Sequence, residues 1–238
     1  MTRPTSPSAA TQRSPAIDHL SHATASDDPL ALVHTSLALL DAGLDLLAAL
    51  EDDAQLTHMS LLIPGGSVGK HFRHVAETFD ALLAAVDPEY HGPGYHGHGE
   101  DPGYHGHAQA CKDTTPVVDY DILLPRSREA VARDLDACRA AMGKVRAGLR
   151  GMLGNAAGLA REVEVLAVTP SQQCMRSTLA RELWFCALHA IHHYTMIRTI
   201  CVHELGIALP VEFGTAPATL LLRPRGWKPP VEVWKAKL

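Results

Sequence analysis

Two histidines in the segment RELWFCALHAIHHYTMIR, residues 181–198, could together bind a metal ion. His189 and His193 are four residues apart, a spacing that places both side chains on the same face of an α-helix. This face is mostly apolar and also carries Glu182, Cys186, Met196 and Ile200. Such a face predicts burial in a core. Because burial of an unpaired polar group is costly, the two imidazoles need a partner, and a metal ion would provide one.

A catalytic zinc site typically has three protein ligands and one open position, so a third ligand must come from another helix. Residues 68–86 predict a helix whose apolar stripe is formed by Val68, Phe72, Val75, Phe79, Leu82 and Val86. His71 and His74 lie on the flank of this stripe and are the candidates for the third ligand. On a helical wheel His71 is nearer the stripe, so spacing alone leaves the choice open. The divalent ion could be zinc, nickel or ferrous iron, which all accept imidazole nitrogen.

Three residues near the histidine pair have alternative interpretations. Glu182 lies two turns before His189 and could accept a hydrogen bond from a ligand imidazole or act as an acid in a cavity. Cys186 could bind a soft metal, but cysteine is among the most buried residue types, which favours packing. His192 points most of a right angle away from His189, so we expect it to flank the site. Histidines that bond to backbone carbonyls would give the same pattern without a metal.

Four long amphipathic segments predict helices over residues 30–54, 68–86, 126–152 and 177–205. Ser67 is the expected N-cap of the second helix, and Gly206 is placed to end the fourth. This pattern is typical of an all-α fold, and we predict a four-helix bundle.

The connecting segments are less regular. Residues 113–125 look extended or irregular, and residues 162–168 are either a short strand or an extended connector. No apolar run approaches the length of about 20 residues that spans a bilayer. Residues 212–220 are expected to fold back onto the helices.

The predicted domain organisation has a helical domain at residues 28–222 between two tails. Residues 1–27 lack large apolar side chains, which predicts a disordered N-terminal tail, and residues 223–238 form an irregular C-terminal tail. A loop insert rich in histidine and glycine, residues 91–110, contains PGYHGH twice. Its histidines are at positions 91, 96, 98, 105 and 107. We interpret it as a solvated spacer, with metal storage as the alternative.

Composition and charge narrow the class of protein. The chain has 238 residues, of which 46% are apolar, and a net charge of −5, which gives no reason to expect nucleic acid or an anionic membrane as partner. Five scattered cysteines without a CxxC pair indicate reduced thiols, and no hydrophobic leader follows Met1. We therefore predict a cytoplasmic protein, for which a homodimer is possible.

The two histidine-bearing segments resemble those of the DinB/YfiT-like superfamily. In SVGKHFRHVAETFDALL, Ser67 and Val68 stand seven and six residues before His74, as a Ser-Ile pair does before a ligand histidine in that superfamily. LHAIHHYTMIR is similar to its second motif, H-x-x-H-H. The resemblance covers about residues 29–206 and is strongest to uncharacterised DinB-like proteins with RELWF, HAIHHY and FGxAPxTL segments.

This resemblance implies a four-helix bundle that binds a divalent metal through His74, His189 and His193. The superfamily includes thiol-dependent S-transferases, maleylpyruvate isomerases and the metal-binding half of iron-dependent sulfoxide synthases. Two features of this chain depart from the family pattern. Tyr194 and the residues after it replace the usual R-G-Q, and the PGYHGH repeats have no counterpart.

Together these observations predict a metal-dependent enzyme. Three neutral imidazoles around a divalent ion would help a water or a thiol lose its proton near neutral pH. The predicted activity is transfer, isomerisation or hydrolysis of a small molecule, with a low-molecular-weight thiol as the favoured cosubstrate. Nothing in the chain resembles a nucleophile triad, a P-loop or a dinucleotide fingerprint. The alternatives are a metal buffer or carrier that uses the loop histidines, and a helical bundle without metal.

Overall fold

The computed structural model describes residues 30–87, 89–90, 115–121, 127–168 and 170–222. This part of the chain contains seven α-helices: α1 Ala31–Ala49, α2 Asp53–Thr57, α3 Val68–Val86, α4 Ser127–Arg133, α5 Leu135–Gly151, α6 Leu179–His203 and α7 Pro217–Leu222. It also contains three strands: β1 Val117–Asp119, β2 Glu162–Val168 and β3 Gln172–Thr178. Two 3-10 turns, Met152–Gly154 and Ala156–Ala160, connect α5 to β2. The predicted tails and the whole histidine-rich insert, residues 91–110, lie outside the described residues.

The four long helices α1, α3, α5 and α6 enclose the core. Helix α3 packs on α5 and α6, and α1 packs on the same two helices. The largest fully buried side chains include Leu40, Phe72, Phe79, Met142, Leu183 and Tyr194. Every one of these four helices therefore contributes one apolar face to a shared core.

Helix α1 has an unusually apolar composition. With 19 residues and a mean hydropathy of 1.4, it is long and apolar enough to cross a membrane by length and composition. The expectation that no apolar run approaches this length is therefore wrong. In the structure α1 lies against α5 and α6, and Leu40 and Leu47 are completely buried.

The prediction of an all-α fold is wrong, because the described residues include a three-stranded mixed sheet. Its order is β1-β2-β3, with β1 parallel to β2 and β2 antiparallel to β3. Val163 in β2 pairs with Ser177 in β3 and is completely buried. The segment at 162–168 forms a full strand because residues 172–178, which were not recognised as a strand, supply its partner. Strand β1 contacts α3 and β3 contacts α6, so the sheet lies beside the two histidine-bearing helices.

Several helix boundaries differ from the sequence prediction for local reasons. The first predicted helix divides into α1 and α2, and the Asp52 side chain caps α2 by accepting from the backbone of Gln55. The third divides into α4 and α5 at Asp134, whose carboxylate accepts from the backbone of Ala137. The fourth begins two residues late, with Thr178 as its N-cap. Asp and Thr favour caps because their oxygens accept bonds from unpaired helix amides.

The segment after α6 folds back onto the helices, as predicted. Phe213 is buried, and its ring is stacked on that of Tyr194 with centroids 4.7 Å apart. The hydroxyl of Thr195 donates to the carbonyl of Gly214 over 2.7 Å. Gly206, with φ of 70°, follows the end of α6 as expected.

Candidate metal centre

Helices α3 and α6 bring four histidines to one place. His71 and His74 come from α3, and His189 and His193 come from α6. The two helices pack directly on each other because their apolar faces share one core. Spacings of three residues on α3 and four on α6 keep each pair on one helix face. We call these four residues the histidine cluster.

His193 is at the centre of the histidine cluster. Its ring centroid lies 4.4 Å from that of His189, 5.2 Å from that of His71 and 5.3 Å from that of His74. The centroid of the His192 ring is 5.4 Å away, but His192 is exposed, and this exposure is what fits the predicted flanking position. His193 itself is only 8% exposed, so its ring nitrogens depend on protein partners or a bound ligand.

The shortest contact in the histidine cluster joins His71 to His193. Their Nδ1 atoms are 3.0 Å apart, and both residues are buried. Nε2 of His71 is buried without a hydrogen-bond partner. A Cβ atom on Gly66 would lie 2.9 Å from this Nε2, so the backbone before α3 covers the ring closely. The loop and the two helices therefore hold His71 firmly in the cluster.

His74 has a different environment at the edge of the histidine cluster. Its side chain is 44% exposed and is stacked on His193 with an angle of 21° between the rings. Arg73 Nη2 donates to Nε2 of His74 over 3.3 Å. The other ring nitrogen, Nδ1, is 4.0 Å from the Glu77 carboxylate. His74 thus belongs to the cluster but also interacts with charged surface residues.

Burial keeps the pKa values of these histidines low. It lowers the pKa of His71 to about 4, with the charge of His74 adding to the effect. It lowers the pKa of His193 to about 3, with His189 as the next largest cause. The pKa of His189 is also lowered, first by burial and then by His74 and His192. These imidazoles are neutral at pH 7, and neutral imidazole is the form that binds a metal ion.

The donor chemistry of the histidine cluster suits zinc, nickel or ferrous iron. The ring spacing is of the right order, because two imidazoles on one tetrahedral ion have centroids about 5 Å apart. However, in the described ranges no group of three or more His, Cys, Asp or Glu side chains has donor atoms placed to hold one ion. The ligand set His74, His189 and His193 therefore stays a prediction.

Glu182 lies in a separate polar cluster rather than beside a ligand imidazole. Its carboxylate accepts from Tyr120 Oη over 2.9 Å, from Ser177 Oγ over 2.5 Å and from Arg181 Nη1 over 3.1 Å. The side chain is only 2% exposed, and these three donors account for both carboxylate oxygens. Glu182 therefore ties β3 and the Tyr120 segment to the start of α6.

Cys186 is a protonated core thiol, which fits the packing interpretation. It is completely buried, its Sγ donates to the carbonyl of Thr78, and burial raises its pKa to about 12. Burial also raises the pKa of Tyr120, so the hydroxyl 3.7 Å from Sγ keeps its proton. Neither group supplies an anion at neutral pH.

Phe185 connects this polar cluster to the histidine cluster. Its ring centroid is 5.0 Å from that of Tyr120 and 5.8 Å from that of His189. The guanidinium of Arg181 lies over the same ring at 5.7 Å. Sequence reasoning gave no role to Tyr120, because its segment looked irregular. The available signal was the alternation of Val118 and Tyr120 with aspartates.

No protein-family model matches the chain, and no solved structure matches it. A stretch of 49 residues is 51% identical to part of FK506-binding protein 5 from Rhizopus delemar. This stretch covers 21% of the chain, and it represents 12% of the length of the fungal protein.

Proposed function

We propose that the chain is a divalent-metal-dependent enzyme of the DinB-like superfamily. The predicted ligands are His74, His189 and His193, and the reaction is transfer, isomerisation or hydrolysis of a small molecule. The observation that carries the proposal is the set of rings around His193, all with centroids within 5.3 Å. Three of these histidines have lowered pKa values and offer uncharged nitrogens.

The residues around the histidine cluster limit what the protein itself can contribute. Cys186 is a buried thiol with a pKa of about 12, so it cannot serve as a nucleophile at neutral pH. Glu182 is occupied by three donors and is not available as a base. A bound divalent cation would supply Lewis acidity that favours the deprotonated form of a water or thiol. The nucleophile would therefore be a water or a cosubstrate, and we favour a low-molecular-weight thiol.

The apolar neighbours of His189 favour a reaction that is partly shielded from water. The ring centroids of Phe185 and His189 are 5.8 Å apart, and the Arg181 guanidinium lies over the Phe185 ring at 5.7 Å from its centroid. A low-dielectric environment strengthens electrostatic interactions between a cation and a developing negative charge. Within the histidine cluster, the partly buried His189 is the residue that lies next to the Phe185 ring.

Elemental analysis of the purified, untagged full chain tests the proposal first. We expect one tightly held zinc, nickel or iron ion per chain, and loss of thiol-transfer turnover after chelation and dialysis. His193→Ala should abolish both properties, whereas His192→Ala, at an exposed neighbouring position, should preserve them. Full turnover in the metal-depleted chain would contradict the proposal. The buffer or carrier alternative depends on the five loop histidines, all of which lie outside the described residues.

A further inference from the structure

The 58–66 loop, which joins α2 to the N-cap of α3, covers one ring of the histidine cluster. A Cβ atom on Gly66 would lie 2.9 Å from Nε2 of His71 and 2.9 Å from the side chain of Ile63, so the loop lies directly against this imidazole. The same Nε2 is buried and has no hydrogen-bond partner among the described residues. Because burial of an unpaired nitrogen is costly, the loop needs favourable contacts elsewhere to stay in this position.

Glu204, the C-cap residue of α6, provides such contacts. Its Oε1 atom accepts from Ser60 Oγ over 2.9 Å and from the backbone nitrogens of Leu61 and Leu62 over 3.1 Å and 2.9 Å. Its Oε2 atom accepts from Nε2 of His58 over 2.9 Å. The Glu204 side chain is only 9% exposed, and hydrogen bonds to a charged group are about twice as strong as those between neutral groups.

The side chains at the outer end of the loop contribute little to its closed position. Leu61 is 89% exposed, Leu62 is 55% exposed and Met59 is 51% exposed. The end next to α3 is held separately, because Lys70 Nζ donates to the carbonyl of Gly65 over 2.8 Å. Gly65, with φ of 76°, can act as a hinge there, since glycine adopts many backbone conformations. We therefore attribute the closed position of the outer end mainly to the bonds with the α6 carboxylate.

We propose that the 58–66 loop is a lid over the histidine cluster and that Glu204 is the latch that holds the lid closed. Release of the latch would move Gly66 and Ile63 away from His71 and expose its Nε2 atom, so the cluster would become accessible to solvent from the side of the loop. Glu204 then has a positioning role and no contact with reacting groups. This inference goes beyond the proposed function and does not require a bound metal ion.

Hydrogen exchange on the full chain tests the lid. Glu204→Ala removes the acceptor, and Glu129→Ala, at an exposed side chain, is the matched control. The amides of Ser60 and Gly66 bond within the loop and not to Glu204, and we expect them to exchange at least about tenfold faster in Glu204→Ala because the whole loop opens. They should exchange in the control as in the wild type. If the faster exchange were confined to the two amides that bond directly to the carboxylate, the change would be local and the inference would be overturned.

Chemical modification of His71 gives a second readout. Diethyl pyrocarbonate acylates accessible neutral imidazoles, and peptide mapping by mass spectrometry follows each histidine separately. We expect His71 to react at least about tenfold faster in Glu204→Ala than in the wild type, while the exposed His192 reacts equally in both. Formate can replace the missing carboxylate, so it should slow the reaction of His71 in the variant more than chloride does at the same ionic strength. An unchanged rate at His71, or equal effects of formate and chloride, would overturn the inference.

If Glu204→Ala fails to fold, native-state hydrogen exchange on the wild-type chain decides. The hydrogen-bonded amides of the loop should share one opening free energy, lower than that of Phe72 in α3. Unequal values within the loop, or opening only together with α3, would overturn the inference. These measurements use neither metal nor turnover, so failure of the lid leaves the proposed function standing, and failure of the proposed function leaves the lid standing.

Discussion

At the scale of single residues, Glu182 shows how a buried charge is accommodated. Its two carboxylate oxygens accept from a tyrosine, a serine and an arginine, so the cost of removing the charge from water is offset by three bonds. These donors come from three different parts of the chain. Loss of the charge would therefore weaken the bonds that join β3, α6 and the Tyr120 segment.

We predict that Glu182→Gln lowers the free energy of unfolding by about 2 kcal/mol, because hydrogen bonds to a charged group are replaced by weaker ones. The matched control is Glu129→Gln, at a side chain that is 76% exposed and paired with Arg133 at 3.4 Å. That change should stay within about 0.5 kcal/mol. Urea unfolding of both variants measures the difference. Equal effects of the two substitutions would contradict the interpretation of Glu182.

Asp80 is a second buried carboxyl group. It lies on the buried face of α3 and is only 3% exposed. Burial raises its pKa to about 6, Glu77 adds to this effect, and Tyr90 and Lys144 act against it. Its Oδ1 atom is buried without a hydrogen-bond partner. Because the folded-state pKa exceeds the ordinary value of 3.8, the folded state retains the proton more strongly than the unfolded state does.

This raised pKa predicts a pH-dependent effect of Asp80→Asn. The protonated carboxyl stabilises the fold fully below pH 4, and that contribution is lost as the pH rises through 6. The asparagine variant does not titrate. Relative to wild type, its free energy of unfolding should therefore increase by on the order of 2–3 kcal/mol between pH 4 and pH 7. Denaturant unfolding at the two pH values measures this, with Asp136→Asn at a 90% exposed side chain as the control. If the stability difference between wild type and Asp80→Asn did not change with pH, the raised pKa of Asp80 would be ruled out.

At the scale of elements, helix α3 shows what the sequence can predict. Its stripe of apolar residues and the cap at Ser67 gave both ends correctly, and the Ser67 hydroxyl accepts from the backbone of Lys70 over 3.2 Å. Periodicity and a capping residue are local signals, so they predict a helix even when the rest of the fold is unknown.

The sheet could not be predicted in the same way, because a strand needs a partner that is not local. Strand β3, QQCMRST, has mostly exposed residues and no apolar alternation. It becomes a strand because β2 pairs with all seven of its residues. The position of Tyr120 beside Glu182 depends on this sheet, so it was missed for the same reason.

The candidate site was predictable only in part. Spacing predicted His189 and His193 as candidate ligands and placed the candidates for a third ligand on α3. It left the choice between His71 and His74 open, because that choice depends on how α3 is rotated against α6. The structure buries His71 and leaves His74 44% exposed, a difference that the sequence pattern alone does not specify.

Two valines in strand β2 allow a matched test of whether the sheet packs on the helical core. Val163 is completely buried, whereas Val168 in the same strand is 58% exposed. We predict that Val163→Ala lowers the free energy of unfolding by about 2 kcal/mol, from lost burial of two methyl groups and the cavity that remains. Val168→Ala should change it by less than about 0.5 kcal/mol. Thermal and urea unfolding measure both. If the two variants were equally stable, the sheet would not pack on the helical core as described.

At the scale of the whole molecule, the close approach of α4 fixes the position of α3, the helix that carries two of the four histidines. Gly69 lies on α3 between Val68 and the histidines, and α4 passes directly over it. A Cβ atom at Gly69 would overlap the carbonyl oxygen of Ala132 and lie 2.8 Å from its carbonyl carbon. Because the obstructing atoms are backbone, α3 and α4 would have to move apart.

We therefore predict that Gly69→Ala destabilises the protein by more than about 2 kcal/mol, since the strain of a displaced helix exceeds the gain in helix propensity. Gly143 on α5 is the matched control, because a Cβ atom there would meet nothing within 4 Å. Gly143→Ala should stabilise the protein by up to about 1 kcal/mol, as expected for an open helical position. Opposite signs in urea unfolding are the expected result. The displacement of α3 should also weaken zinc binding in Gly69→Ala, while Gly143→Ala binds zinc like the wild type. A stabilised Gly69→Ala variant would mean that α3 and α4 do not approach as closely as the structure shows.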